Sequence, residues 1–313
     1  MFQPSFGDGG IYGPEPEYTT PMNVILGLSD AYRAGKRLKL PRYEEFGVFA
    51  QELMARMREC IERDRGTTPE GIPYVPLSMA ENESYKPQTG CATIARVAFH
   101  GEFEPDDRIV TDLLRLIDAC DDREGIPECT GWRSDQSIYT YSSVRFAQLL
   151  LQAGQREKAA DYLYAFANHA SASRVWREEQ PVRETHSAEI CGDMPHNWAS
   201  VEFIRLVRNL VVLETFTGVE LLPGLPEEWL PRAGDSLVLE KTPTRFGKLS
   251  LELSVRGRGG YLLSVAREDG NQQPQYLRLH WAGKAVLDGG ELEKSNGKYL
   301  LPLEEKQVCI ELF

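Results

Sequence analysis

The chain reads as an α+β protein of two parts. A run of helical hairpins occupies residues 1–217, and a small antiparallel β-sandwich occupies residues 218–313. Three observations predict this. Apolar residues recur at helical spacing in seven segments before Gly218. Short and long connections alternate between those segments. Beyond Gly218 the hydrophobic period changes from helical to alternating.

The first helical segment, residues 19–36, carries Met22, Val24, Ile25, Leu28 and Tyr32, with Gly35 near its end. Residues 41–64 put Phe46, Phe49, Leu53, Met57 and Ile61 on one stripe, which predicts a core-facing helix. Residues 66–87 are Pro-rich and loop-like. Further helical patterns span 89–99, 109–120, 135–153, 156–172 and 197–215. The two-residue turn Gly154–Gln155 makes its flanking helices antiparallel neighbours. Every other connection is long, as in a stack or ring of hairpins whose loops gather on one face. No strand is expected before about residue 219.

After the Pro-punctuated linker 221–230, residues 236–241, 249–255, 261–266, 276–281, 284–287 and 308–313 alternate apolar and polar. Arg-Gly-Gly, Asp-Gly-Asn, Asp-Gly-Gly and Ser-Asn-Gly separate them as turns. This is the pattern of a sandwich of about ninety residues.

Composition narrows the class. With 313 residues and 42% hydrophobic content, the chain can bury a sizeable core. A net charge of −12, with no basic run, argues against a nucleic-acid partner. No stretch approaches the roughly 18 apolar residues of a membrane span. The start of the sequence lacks the basic and apolar regions of a signal peptide, which predicts a cytoplasmic protein. The six cysteines are scattered without a C-x-x-C pair. They read as buried reduced thiols, and neither a metal nor a cofactor is expected.

Chemistry concentrates in residues 175–202. Two Trp, two His and the acidic residues Glu178, Glu179, Glu184, Glu189, Asp193 and Glu202 lie there between two helical patterns. Trp faces stack on the C–H surfaces of sugars, while carboxylates bond hydroxyls and move protons. Carbohydrate is therefore the expected ligand. The candidates are Glu178, Glu179 and Glu184, whose alternative is surface charge paired with Arg174, Arg177 or Arg183. Asp193 fits the N-cap of the following helix and Pro195 its first turn, which would set His196 and Trp198 beside the cavity. Glu202 fits a buried partner for Arg205 or Arg208 better than a site carboxylate. Trp132 and Arg133, with Asp135 or Ser134 as a helix cap, form a similar loop-to-helix junction and are candidate sugar contacts. The acidic loops holding Asp8, Glu15, Glu17, Glu81 and Glu83 are weaker candidates. His100, His169 and His280 have no ligand-like spacing.

The ordered set Trp-x-Glu-Glu, Gly-Asp-Met-Pro-His-Asn-Trp-Ala-Ser-x-Glu-Phe, Leu-Leu-Pro-Gly-Leu-Pro-Glu-Glu-Trp and Pro-Thr-Arg-Phe-Gly resembles the C-terminal portion of six-hairpin (α/α)6 glycoside hydrolases. The similarity is to bacterial rhamnosidase-like and related enzymes. It runs from about Tyr18 onward and is strongest over residues 175–250. It implies a helical toroid followed by a β-sandwich. It implies glycosidic-bond hydrolysis, with Glu179 as the base that activates water, Glu178 as its rival and Trp176 as a wall of the sugar site. A complete toroid has twelve helices, so seven imply a partial toroid. The resemblance places the general acid in the earlier half, and no residue here matches it. Two alternatives follow: a non-catalytic carbohydrate-binding or scaffold relative, and a chain whose barrel is completed by a partner chain or by self-association. An apolar rim left exposed on residues 19–64 would mark the latter.

Overall fold

The structure, a computed structural model, describes residues 16–79, 90–120, 125–127, 137–181, 192–257, 259–268, 270 and 272–313. Helices and antiparallel sheets both contribute, so the protein is α+β. The chain divides into two compact units: residues 1–153 with 161–203, and residues 154–160 with 204–313.

Seven helices lie among the described residues: α1 (Thr19–Leu38), α2 (Tyr43–Asp64), α3 (Cys91–Phe99), α4 (Arg108–Cys120), α5 (Thr140–Gln152), α6 (Arg156–Asn168) and α7 (Asn197–Val211). In α1 the residues Met22, Ile25, Leu26 and Ser29 are buried, one continuous face at i, i+3, i+4, i+7 spacing. The helix stops where Lys39 turns left-handed (φ 54°) and Leu40 donates its N–H to the Gly35 carbonyl at 2.9 Å. Pro41 then blocks continuation.

α1 and α2 approach closely because Gly35 and Gly47 carry no side chains. A Cβ on Gly35 would lie 2.4 Å from the Tyr43 Cβ, and one on Gly47 would lie 2.9 Å from the Tyr32 ring. Ala50, Met57 and Ile61 are the buried residues of α2. The expected core stripe of α2 is therefore only half right. Phe46 and Phe49 are 41% and 56% exposed. Val24, Leu38 and Leu40 are exposed on the same hairpin.

The first unit also holds short strand pairs that helical periodicity does not reveal. β1 (Gly66–Thr67) pairs with β2 (Pro73–Tyr74), and β3 (Ser137–Tyr139) with β4 (Glu179–Pro181), both antiparallel. α5 is buried nearly throughout, with Phe146, Leu149 and Leu150 below 3% exposure.

The expected helix 197–215 ends early, at Val211. The next residues form β5 (Val212–Glu214), which pairs with β6 (Gly218–Leu221) through Val212 opposite Leu221. Thr215 fixes the turn: its Oγ1 accepts the N–H groups of Thr217 and Gly218 at 3.3 and 3.0 Å. The remaining strands are β7 (Ser236–Thr244), β8 (Gly247–Arg256), β9 (Gly260–Arg267), β10 (Tyr276–Leu279), β11 (Ala285–Leu287), β12 (Gly290–Glu291), β13 (Lys294–Ser295), β14 (Lys298–Leu300) and β15 (Gln307–Leu312). One sheet has the order β13-β14-β10-β6-β5 and the other β12-β11-β15-β9-β8-β7. All these pairings are antiparallel except β6 with β10, since the chain visits the other sheet between them. One apolar core takes Leu221, Leu277, Leu279 and Tyr299 from the first sheet and Leu251, Leu253, Leu263, Val265, Ile310 and Leu312 from the second. Within this unit Glu220 is 5% exposed. Burial pushes its carboxyl up, but the His280 hydrogen bond at 2.5 Å and the charges of Lys298 and Arg278 outweigh this and hold it below the usual range.

The two glycines of α1 test the packing with opposite signs. Gly35→Ala should lower stability by about 1–3 kcal/mol, because the helices must separate. Gly27 has nothing within 4 Å of its added Cβ. Gly27→Ala should raise stability by about 0.5–1 kcal/mol through helix propensity. Urea unfolding followed by circular dichroism reads both.

Candidate functional site

Residues 176–179 hang between two anchors. On one side, β4 pairs with β3 so that Glu179 faces Tyr139 across the ladder. Thr140 extends this contact: its N–H bonds the Glu178 carbonyl at 3.0 Å, and its hydroxyl reaches the Arg177 carbonyl at 2.6 Å. On the other side, the N–H of His196 bonds the Trp176 carbonyl at 2.8 Å, and that of Glu178 bonds the Asp193 carbonyl at 3.2 Å. Arg177 Nη1 donates to the Gly192 carbonyl at 3.1 Å. The segment is thus hydrogen-bonded along both edges.

These ties gather a set of polar and aromatic side chains in the first unit. Glu179 is 1% exposed. Tyr139 and Tyr141 share a hydroxyl–hydroxyl hydrogen bond. The Tyr141 ring stacks on His196 with centroids 5.3 Å apart, and the Trp198 ring meets it edge-on at 5.3 Å. Arg145 sits over the same Tyr141 ring, 4.9 Å from its centroid, and pairs with Glu202 at 3.2 Å. His196 Nδ1 bonds Asp193 Oδ1 at 2.7 Å. That bond, the largest influence on Asp193, holds its carboxyl below the usual range.

The structure brings Glu178, Glu179, His196 and Trp198 into one neighbourhood and gives each a different setting. Trp198 is 51% exposed and presents a ring to solvent. Trp176 does not. It is 5% exposed, stacked on Phe166 at 4.6 Å, and its indole N–H is used by the Phe166 carbonyl at 2.9 Å. Its faces belong to the packing with Phe166 and Phe203. Trp132, Arg133, Asp135 and Ser134 lie outside the described residues, as do Glu184, Glu189 and the acidic loops around Asp8, Glu15, Glu81 and Glu83.

One expectation needs correction. Asp193 does not cap α7, which starts four residues later at Asn197; its carboxylate holds His196 instead, and Pro195 lies outside the helix. Glu202 is buried and pairs with Arg145 on α5. Tyr139, Tyr141 and Arg145 were not singled out in the sequence. Their signal is the two-residue spacing Tyr-Thr-Tyr at a helix entry, followed by Arg at i+4 from the second Tyr. His169 and His280 are structural, bonded to the Ala165 carbonyl and to Glu220.

No protein-family model matches the sequence, and no curated protein does. Among solved structures, the chain is similar to a metal-independent α-mannosidase structure from Streptococcus pneumoniae, in a non-productive complex with α-1,6-mannobiose. The TM-score is 0.44 at 14% identity, covering 62% of this chain and 46% of that one. It is also similar to a GH127 β-L-arabinofuranosidase from Geobacillus stearothermophilus T6, with TM-score 0.40, 12% identity, and 72% and 41% coverage. A third structure, described as a glycoside hydrolase, gives 0.37 at 11% identity with 72% and 45% coverage. The chain therefore spans less than half the length of each of these structures. No helix among the described residues is long and apolar enough to cross a membrane.

The Arg145–Glu202 pair tests how the site is built. Breaking it by Arg145→Met should cost about 1–3 kcal/mol, since buried Glu202 loses a charged hydrogen-bond partner. Arg145→Met with Glu202→Leu should recover most of that loss. Thermal and urea unfolding of the single and double variants decide it.

Proposed function

We propose that this chain is a glycoside hydrolase, or the C-terminal portion of one, that cleaves a glycosidic bond with a carboxylate activating water. In this reading residues 1–217 form a helical-hairpin toroid or part of one, and residues 218–313 form a β-sandwich. The observation that carries it is the setting of Glu179. It lies buried on a strand pinned along both edges, in the neighbourhood that also holds Tyr139, Tyr141 and His196, with Trp198 exposed beside them. A base must be held in a fixed orientation to take a proton from water, and this backbone supplies that. Glu178 is the neighbouring rival. Its residue is half-buried, so it is the more accessible of the two.

Trp198 then serves as the platform for a sugar face. His196, oriented by Asp193, hydrogen-bonds a hydroxyl. Trp176 supports the site from within the core. Trp132, Arg133 and Asp135 add contacts from the preceding loop-to-helix junction. The general acid lies elsewhere, on another segment of this chain or on another chain. Glu179→Gln should cut turnover of aryl glycosides by roughly 10²–10⁴-fold while circular dichroism stays unchanged. Turnover within a factor of two of the parent would remove Glu179 from the role.

A second reading, self-association or a partner chain, is favoured by one observation. Val24, Leu38, Leu40, Phe46 and Phe49 are all exposed on the α1–α2 hairpin, at 36%, 66%, 50%, 41% and 56%. Large apolar residues exposed in this number on one hairpin suit an interaction surface. Sedimentation velocity should show a concentration-dependent dimer that Phe49→Glu converts to monomer. A monodisperse monomer at all concentrations would remove self-association.

A further inference from the structure

We infer that Arg245, in the turn between β7 and β8, is the recognition residue of a site for a small-molecule oxyanion, a carboxylate or a phosphate group. The turn is the Pro-Thr-Arg-Phe-Gly motif of the sequence, to which the proposed hydrolysis gives no role. The site lies within the second unit. It does not rest on the glycosidase reading, because it uses none of those residues and its test needs no turnover.

The state of the guanidinium carries it. Its Cζ lies 4.6 Å from the centroid of the Phe216 ring, a contact that holds the group against one aromatic face. Its Nε is buried and has no hydrogen-bond partner. Among the described residues, no ion pair or side-chain hydrogen bond engages the rest of the group either. Arginine cannot shed its charge to relieve this, since it stays protonated at any ordinary pH. A partly desolvated guanidinium with open donors is costly until an acceptor arrives. The acceptor that matches its two parallel N–H groups is an oxyanion.

The surroundings hold Arg245 in place without using its side chain. The Thr244 hydroxyl accepts the Phe246 N–H at 3.1 Å and donates to the Gly247 carbonyl at 2.7 Å, which closes the turn. The main-chain N–H of Arg245 donates to Glu214 Oε2 at 2.9 Å, so that carboxylate holds the backbone and leaves the guanidinium open. Arg208, on α7, ties into the same turn. Its Nη2 donates to the Pro243 carbonyl at 3.1 Å and lies 3.7 Å from Glu214 Oε2. Arg208 offsets the charge of Glu214, and the charge of Arg245 stays uncancelled. Burial holds the Arg208 guanidinium below its usual range; Glu214 opposes this, and the charges of Arg205 and Arg245 add to it. Cations gathered in this way, in a chain of net charge −12, make a local field that draws an anion.

The test follows the arginine Nε–H signals of the isotope-labelled full chain by NMR while glucuronate, inorganic phosphate or glucose is added. The signal that Arg245→Lys removes belongs to Arg245. Glucuronate or phosphate should move it saturably, with a midpoint below about 10 mM, and glucose should not. Whichever anion binds more tightly identifies the source of the oxyanion. Arg245→Met keeps the stem on Phe216 and removes the fork. It should weaken that anion at least about tenfold, read from the main-chain amide signals of the same turn. Its melting temperature should not fall, because no buried group loses a partner. Arg245→Lys keeps the charge without the fork and should fall between the two. No saturable shift from either anion up to about 50 mM overturns the site. So does binding that Arg245→Met leaves within about twofold, or glucose binding as tightly as glucuronate.

Discussion

The first unit depends on one constraint: main-chain donors and acceptors taken from water need partners within the protein. Residues 176–179 draw theirs from two unrelated neighbours. Thr140 and the β3 ladder take one edge, and residues 192–196 take the other. Apart from the Arg177 guanidinium on Gly192, each of these bonds joins backbone to backbone or to a short hydroxyl. The polar side chains inherit that rigidity. Glu179 has Tyr139 opposite it because the ladder register permits nothing else. His196 stacks on Tyr141 because its own N–H is bonded to Trp176. Remove the double anchoring, and the carboxylates, the imidazole and the Trp198 ring become four independent groups.

Burial then decides what each group is able to do. Trp176 and Trp198 have the same chemistry and opposite fates. One spends its N–H on the Phe166 carbonyl and its face on Phe166 itself; the other keeps half its surface in solvent. Two acidic residues divide the same way. Asp193 stays near water and ionised, with His196 as partner. Glu202 is 4% exposed and has Arg145 as a counter-ion, since a charge buried there must be paired. Composition alone treats Glu202 and Asp193 as alike.

The helices were legible in the sequence because a helix writes its own buried face at short range. Met22, Ile25 and Leu26 show this in α1. The long strands were legible for the same reason, with alternation along β8 and β9. What could not be read depends on distant partners. β3 and β4 lie about forty residues apart in sequence, too short and too remote for a pattern to announce them. Arg145 and Glu202 are separated by 57 residues, so no short-range pattern announces their pairing. Phe46 and Phe49 expose a related limit. Periodicity marks an apolar stripe, but it does not say whether anything within the chain covers it.

In the site itself the sequence named the residue types and missed their supports. Glu179, His196 and Trp198 were visible as an unusual mixture of acid, imidazole and indole. Tyr139, Tyr141 and Arg145 were hidden inside what looked like one helix, although two of them precede or open its first turn. Their role follows from geometry. Tyr141 touches His196, Trp198, Arg145 and the Tyr139 hydroxyl at once, so it is the hub through which α5 meets the 176–198 segment. A phenol suits that position because its ring supplies two faces and an edge for packing, while its hydroxyl still satisfies a buried neighbour. Phenylalanine would keep the packing and lose the bond to the Tyr139 hydroxyl, and leucine would lose the stack on His196. The constraint on residue 141 is thus as tight as that on the carboxylates, and it comes from three elements meeting on one ring.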